Sequence, residues 1–256
     1  MFRYSKKFVN KKNRGLAIPP QGEKRMKKIE YKNGKPSYDV TEEVTVVQNI
    51  FNKEDEAMFE HLLKKTMGLT DEESLPDGMK ETPHRLAKYW TEAFAAGYMV
   101  DPKRHLAKVF DVDRGTANEL SSSYFTTGIV ICKFKLFSQC EHHIAPFGTY
   151  KDDSWVYVAY IPRNKVVGLS KIPRMARDYA HRFQIQEQLG EQICDALVDV
   201  LDPVGCAVVM KDITHSCVAV RGVKSEGATT TSSVLRGVFT KEPDARAELF
   251  SLINSI

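Results

Sequence analysis

The order of the patterned segments predicts an α+β fold: two amphipathic helical patterns come first, strand patterns then surround a helical pair, and strand patterns recur before a closing helix. A βαβ repeat would alternate the two kinds throughout, and this chain does not. Two further observations support the class. From Tyr124 the apolar period drops from near four to two, and the composition, 42% hydrophobic and 10% aromatic over 256 residues, is that of a chain able to bury a real core.

Charge divides the chain before any element does. Residues 1–40 hold 12 Lys and Arg against 3 acids, so the formal net charge of +4 belongs to this stretch and the remainder is acidic. With few apolar residues, and with turn formers at Pro19, Pro20, Gly22 and Gly34, the stretch cannot offset its ordering entropy. The expectation is a basic flexible extension over residues 1–43 and one ordered domain over 44–256. A solvated charged terminus is the commoner outcome than nucleic-acid contact, and a run rich in Lys rather than in Arg and Ser is not a transit peptide. Five cysteines, an odd number, and no apolar leader before a small-residue cleavage site predict a reducing, cytoplasmic setting. No segment approaches the roughly 18 consecutive apolar residues of a membrane helix, so no membrane partner is expected.

The elements follow in order. Asn52 is placed as an N-cap before Glu54, Asp55 and Glu56, and Phe59, Leu62, Leu63 and Met67 recur at helical spacing until Gly68. A second helix starts at Thr82 with Pro83 in its first turn, carries Leu86, Trp90, Ala93 and Phe94, and stops at Gly97. These make an N-terminal helical segment over 52–97. The core, 124–256, opens with a strand in which Val130, Cys132, Phe134 and Leu136 alternate with Lys133 and Lys135. A second strand spans 155–161. Ser170 is read as the N-cap of a helix turning Ile172, Met175, Ala176 and Tyr179 inward, and a longer helix from about Gln184 repeats Ile185, Leu189, Ile193 and Leu197. Strands over 206–210 and 214–221 and a helix over 245–253 complete the chain.

Chemistry is concentrated in two runs, Cys140-Glu141-His142-His143 and His215-Ser216-Cys217. In an extended 214–221 strand, His215, Cys217, Ala219 and Arg221 share one face and the valines the other. Cys140 and His143, three apart, can be aimed at one ion by a single turn. Zn²⁺ takes thiolate and imidazole in tetrahedral geometry, and a catalytic site uses three protein ligands with one position left for water. Cys140, His142, His143, His215 and Cys217 are five candidates for those positions, so one or two imidazoles remain for acid and base work. Spacing does not decide which. Cys132, Cys194 and Cys206 read as small buried hydrophobes, and His61, His84, His105 and His181 as isolated.

Six motifs in order carry a resemblance to a known family. Glu81 to Lys88, Cys140 to His143 with Pro146 and Phe147, Val158 to Pro162, Gly168 to Ile172, Gln184 to Glu187, and His215 to Cys217 with Arg221 and Gly222 together resemble GTP cyclohydrolase I over roughly residues 45–256. The resemblance implies a tunnelling fold, an antiparallel sheet with packed helices whose strands close a barrel in a homodecamer, with sites between subunits. It implies zinc-dependent hydrolysis of GTP to 7,8-dihydroneopterin triphosphate and formate, a first step of pterin and folate or of deazaguanine synthesis. Zinc would be held by Cys140, His143 and Cys217, leaving His142 and His215 as catalytic acid and base. Gln186 and Glu187 would read guanine, and Ser170, Lys171, Arg174, Arg221 and a neighbouring subunit's Arg85 would bind the triphosphate.

The chain departs from the family at Phe183, where a proline is usual and which is expected to alter entry to the guanine pocket. It departs also at 149–154, read as a lengthened hairpin loop, and in the basic tail. The competing reading is a non-catalytic zinc-containing binding module whose tail grips a polyanion. A nitrile reductase of the same fold is disfavoured, since that chemistry requires a nucleophilic cysteine and a nicotinamide cofactor.

Overall fold

The computed structural model describes residues 31–32, 35–36, 50–111 and 128–256. The chain divides into two compact units, Met1–Val46 and Val47–Ile256. In the first, β1 (Tyr31–Lys32) pairs antiparallel with β2 (Lys35–Pro36). The remainder of the basic extension, and the expected start of the core strand at Tyr124, lie outside the described residues.

The second unit opens on α1 (Lys53–Thr66), and here local signals are obeyed. The Asn52 side chain accepts from the backbone of Glu54 and Asp55, while Asp55 returns a bond to the Asn52 N–H, a complete capping box. Gly68 follows the helix at φ +72°, the left-handed stop that glycine adopts without strain. Phe51, Phe59 and Trp90 meet edge to face and pin α1 to α2 (Thr82–Trp90). Beyond Trp90 the coil loosens into a π turn, Thr91–Ala95, and a 3₁₀ turn, Ala96–Met99. Gly97 is therefore not a helix stop. It is buried where a Cβ would strike the carbonyl of His181, and its N–H donates to that carbonyl. The Phe94 side chain lies outside the described residues.

A short strand, β3 (Val109–Asp111), precedes the main sheet and pairs with β8 (Lys165–Val167). The main sheet contains β4 (Val130–Phe134), β5 (Phe137–Cys140), β6 (Pro146–Gly148), β7 (Trp155–Ile161), β9 (Phe183–Gln184), β10 (Gly205–His215) and β11 (Thr229–Gly237). Its path runs β4-β7-β10-β6-β5-β9, with β11 on the other side of β10. All its pairings are antiparallel except β5 with β9.

The core explains why β7 reads as an unbroken apolar run. Val156, Val158 and Tyr160 pack with Ile172, Met175, Leu189 and Ile193 of α3 (Lys171–Ala180) and α4 (Gln186–Leu201). Tyr157, Ala159 and Ile161 point the other way, onto Phe239 of α6 (Val238–Lys241) and Leu249 and Ile253 of α7 (Pro243–Ser255). A strand covered on both faces has no polar face to show. β10 is divided in the same manner, with Cys206, Val208 and Met210 on one side and Ala207 and Val209 on the other.

Three sequence expectations are corrected here. The strands expected over 206–210 and 214–221 are one strand ending at His215, bulged between Met210 and Ile213 with Asp212 at φ +56°. After it the chain coils into α5 (Ser216–Ala219), so no extended backbone puts Cys217 and Arg221 on one face with His215. Ser170 precedes α3 in helical φ and ψ with no side-chain cap bond, so it is not a functioning N-cap. Residues 149–154 are not a hairpin loop, since β6 and β7 pair with other strands. Lys135, exposed on the face opposite the apolar residues, holds that connection by donating to the carbonyls of Lys151, Asp152 and Ser154 at 2.6–3.0 Å.

Candidate metal centre and active-site cleft

The first chemical run is the turn of the β5–β6 hairpin. Gln139 pairs with Pro146, so Cys140 to Ala145 must reverse the chain. The reversal is closed by Cys140 N–H to Ala145 O at 2.9 Å and Ile144 N–H to Cys140 O at 2.9 Å, with Ile144 at φ +49°. β9 braces the turn from the side: Cys140 pairs with Gln184, and Glu141 donates to the Gln184 carbonyl. Gln139, buried, donates to the hydroxyl of Tyr89 at 2.9 Å and ties α2 to the same strand.

The second run arrives from β10. Through its last pair His215 lies opposite Phe147 on β6, and the two rings stack with centroids 4.8 Å apart and planes 5° from parallel. The coil into α5 then swings Cys217 back toward Cys140. As a result one atom each from Cys140, His143 and Cys217 lies within 4.8 Å of the others. Cys140 Sγ stands 3.7 Å from His143 Nδ1, close to the roughly 3.5 Å separation of a sulfur and a nitrogen sharing a tetrahedral zinc. The donor set fits such an ion. Partial burial, and then the adjacent Cys140 thiol, push the Cys217 thiol up, and a cation placed between the two sulfurs reverses that penalty.

Around this group a cleft of about 280 Å³ is lined by His142, Gln184, Ile185, Gln186, Glu187, His215, Val218 and Thr230 together with the Cys-His-Cys residues. His142, one residue before His143, diverges from it by 53° between ring planes and is exposed, its Nε2 3.9 Å from Glu141. The Arg221 guanidinium donates to His143 Nε2 at 2.6 Å, a bond that places the ring hydrogen on Nδ1 and is given up when Nδ1 takes an ion. Burial pushes the pKa of His215 down, with Glu187 opposing, so its neutral form is favoured.

The residues expected to serve the substrate are only partly assembled in the single chain. Glu187, on the first turn of α4, is an exposed carboxylate in the cleft. Gln186 is 2% exposed, and its amide is already committed, accepting from His215 Nε2 at 2.7 Å. Ser170, Lys171, Arg174 and Arg85 do not line the cleft. Phe183 does not line it either: its N–H donates to the hydroxyl of Tyr98, a bond that a proline at this position has no hydrogen to make. Sequence reasoning missed Thr230 and Ser232, which take the other end of the Gln186 amide. The available signal was the β-branched run from Thr229, in which period two puts residues 230 and 232 on one face.

Comparison with known proteins shows the family. A family model described as GTP cyclohydrolase I matches residues 56–254. The protein named GTP cyclohydrolase 1 of Campylobacter curvus (strain 525.92) is 42% identical over 197 residues, 77% of this chain and 95% of the relative. Its namesake in Rhodopirellula baltica (strain DSM 10527 / NCIMB 13988 / SH1) is 38% identical over 203 residues, 79% of this chain and 81% of the relative. Among solved structures, archaeosine synthase QueF-Like in the apo form overlaps 43% of this chain and 93% of its own at TM-score 0.32 and 18% identity, too slight a likeness to bear on the fold or the chemistry. The matched residues include both chemical runs and the two helices between them, and the chain belongs to the GTP cyclohydrolase I family.

Proposed function

We propose that the protein hydrolyses GTP to 7,8-dihydroneopterin triphosphate and formate as a zinc-dependent GTP cyclohydrolase I. The observation that carries the reading is the convergence of Cys140, His143 and Cys217 within 4.8 Å in a cleft that also holds His215 and Glu187. Zinc held by the three would supply the Lewis acidity that makes water a nucleophile near neutral pH. Glu187 accepts two N–H groups from the pyrimidine edge of guanine, a pattern adenine does not offer. His215 delivers a proton to the imidazole nitrogen of the base as carbon 8 is attacked. His142, exposed beside the metal group, serves the later ribose opening and rearrangement as acid and base.

The triphosphate is assigned to Ser170, Lys171, Arg174 and Arg221, with Arg85 of the partner subunit, through charge-assisted bonds. That Ser170, Lys171, Arg174 and Arg85 lie off the cleft of the single chain supports sites completed between subunits of a tunnelling-fold homodecamer. Large apolar side chains left exposed beside the same loops, Leu169 at 65%, Val220 at 71% and Val223 at 76%, support the same assembly. In this reading residues 44–256 are the catalytic domain of a cytoplasmic enzyme and 1–43 a basic extension to it. No helix among the described residues is long and apolar enough to cross a membrane.

The test is incubation of zinc-loaded protein with GTP. Formate release together with a product that becomes fluorescent on oxidation is the expected result. Metal-replete protein that releases no formate overturns the proposal and returns the competing reading, a binding module.

A further inference from the structure

We propose that Tyr89 is a positioning residue of the metal centre: through Gln139 it fixes the roll of β5, and with it the point at which that strand delivers Cys140. The inference rests on the metal assignment in the reading above and not on the chemistry done to GTP.

Strand β5 is four residues long and is held at its edges by three residue pairs with β6 and two with β9. Ladder bonds lie in the plane of the sheet, so they set register and restrain roll about the strand axis only weakly. Roll is decided by what grips the two faces. Alternation puts Ser138 and Cys140 on one face and Gln139 on the other. On the first face the buried Ser138 hydroxyl donates to the carbonyl of Ala180 at 2.7 Å and lies 3.4 Å from that of Arg182. On the second, Gln139 is 5% exposed and its amide meets the Tyr89 hydroxyl at 2.9 Å. A hydroxyl both donates and accepts, so this tie forms with either end of the amide. Cys140 follows directly on the two gripped residues.

Tyr89 is itself held on both sides. Its neighbour Trp90 belongs to the aromatic group that pins α2 to α1. Farther along, the Gly97 N–H donates to the His181 carbonyl at 3.0 Å, and Arg182 Nε donates back to the Gly97 carbonyl at 2.8 Å. Those bonds end on residues 180–182, the same connection that Ser138 grips. The ties therefore close a frame, from β5 through Ser138 to the α3–β9 connection, through Gly97 to α2, and through Tyr89 and Gln139 back to β5. Opening it at Tyr89 leaves β5 gripped on one face only, and a metal ligand must be held within about 0.5 Å of its place to bind well.

The experiment challenges the full-length zinc-loaded protein with a chelator of known affinity and compares the parent with Tyr89→Phe, Gln139→Leu and the double variant. Tyr89→Phe is expected to raise the zinc Kd about fivefold, the worth of one neutral hydrogen bond. It should also lower the urea midpoint, because a buried amide is left unpaired. Gln139→Leu and the double variant should show the same fivefold rise and no more, since each loses the one bond. Their urea midpoints should return toward the parent, because no unpaired polar group is then buried. Affinity and stability thus part company, which a merely structural role would not produce.

A zinc Kd within about twofold of the parent in Tyr89→Phe, recovery of zinc affinity along with the urea midpoint in the double variant, or single losses that add in the double variant each overturns the role of Tyr89. A parent protein that holds no zinc overturns the metal assignment and this inference with it. Zinc held without formate release from GTP refutes the GTP reading alone, and the chelator competition still decides the role of Tyr89.

Discussion

Cys140, His143 and Cys217 come from the end of a four-residue strand, the hairpin turn after it and a four-residue helix, whereas His215 and Gln186 come from the last residue of an eleven-residue strand and the first residue of a sixteen-residue helix. The two corners of the cleft are held together differently as a result. In the metal corner two thiols and an imidazole converge with Cys217 discouraged from ionising, so its cohesion awaits a cation. In the imidazole corner the chain's own bonds suffice: a cross-strand ring stack, a buried amide and a hydroxyl from a third element. Turns let ligands adjust to an ion, and regular elements hold a proton-transfer group where the reaction needs it.

The largest expected effect separates the corners outright. Cys217→Ser removes one of three ligands from a four-residue helix with no fully buried residue, so zinc binding should be lost and GTP turnover should fall by about three orders of magnitude or more. Circular dichroism should be unchanged, and the ¹⁵N ring spectrum of His215 should keep its Nε2–H signal. Loss of that signal along with the metal would show that the corners are one unit. His215→Ala is the reciprocal change. It should lower kcat by about 10²- to 10⁴-fold, the range for a general acid or base, while metal analysis still finds zinc at one per chain. Zinc lost from His215→Ala would break the comparison.

The smallest effect supplies a baseline from outside the cleft. Burial, and then the Arg177 charge, push the pKa of His181 down against the opposing Asp178. The unfolded chain, with an imidazole near 6.5, then binds more protons than the folded one as pH falls below about 6.5. Stability should accordingly decline as pH drops from about 6.5 to the lowered folded value and level off beneath it. Urea midpoints measured across that range should show the decline in the parent and a shallower one in His181→Asn. An identical decline in the variant would assign it to other groups.

Much of the fold was legible because its local signals met no competitor. The Asn52 cap, the Gly68 stop and the strand 155–161 are each written in a few neighbouring residues, and the structure realises them at those positions. Legibility failed where a local pattern was outweighed by a distant partner. The Thr214 to Arg221 run alternates well enough for a strand, yet its extended pairing ends at His215 opposite Phe147, and the chain coils to bring Cys217 home. Ser170 has the chemistry of a cap without the backbone conformation to use it. Gln186 was expected to read guanine, and in the fold it is buried with its amide bonded to Ser232 of β11.

By itself, then, the sequence determined the α+β class and the two chemical runs with their five candidate thiols and imidazoles, since these are matters of residue type and short spacing. Which histidine joins the two cysteines, and what holds the other in place, was decided by the tertiary structure. Cys217 lies 77 positions after Cys140, and no local period encodes the register that sets His215 against Phe147 or the approach that joins Gln186 to Ser232.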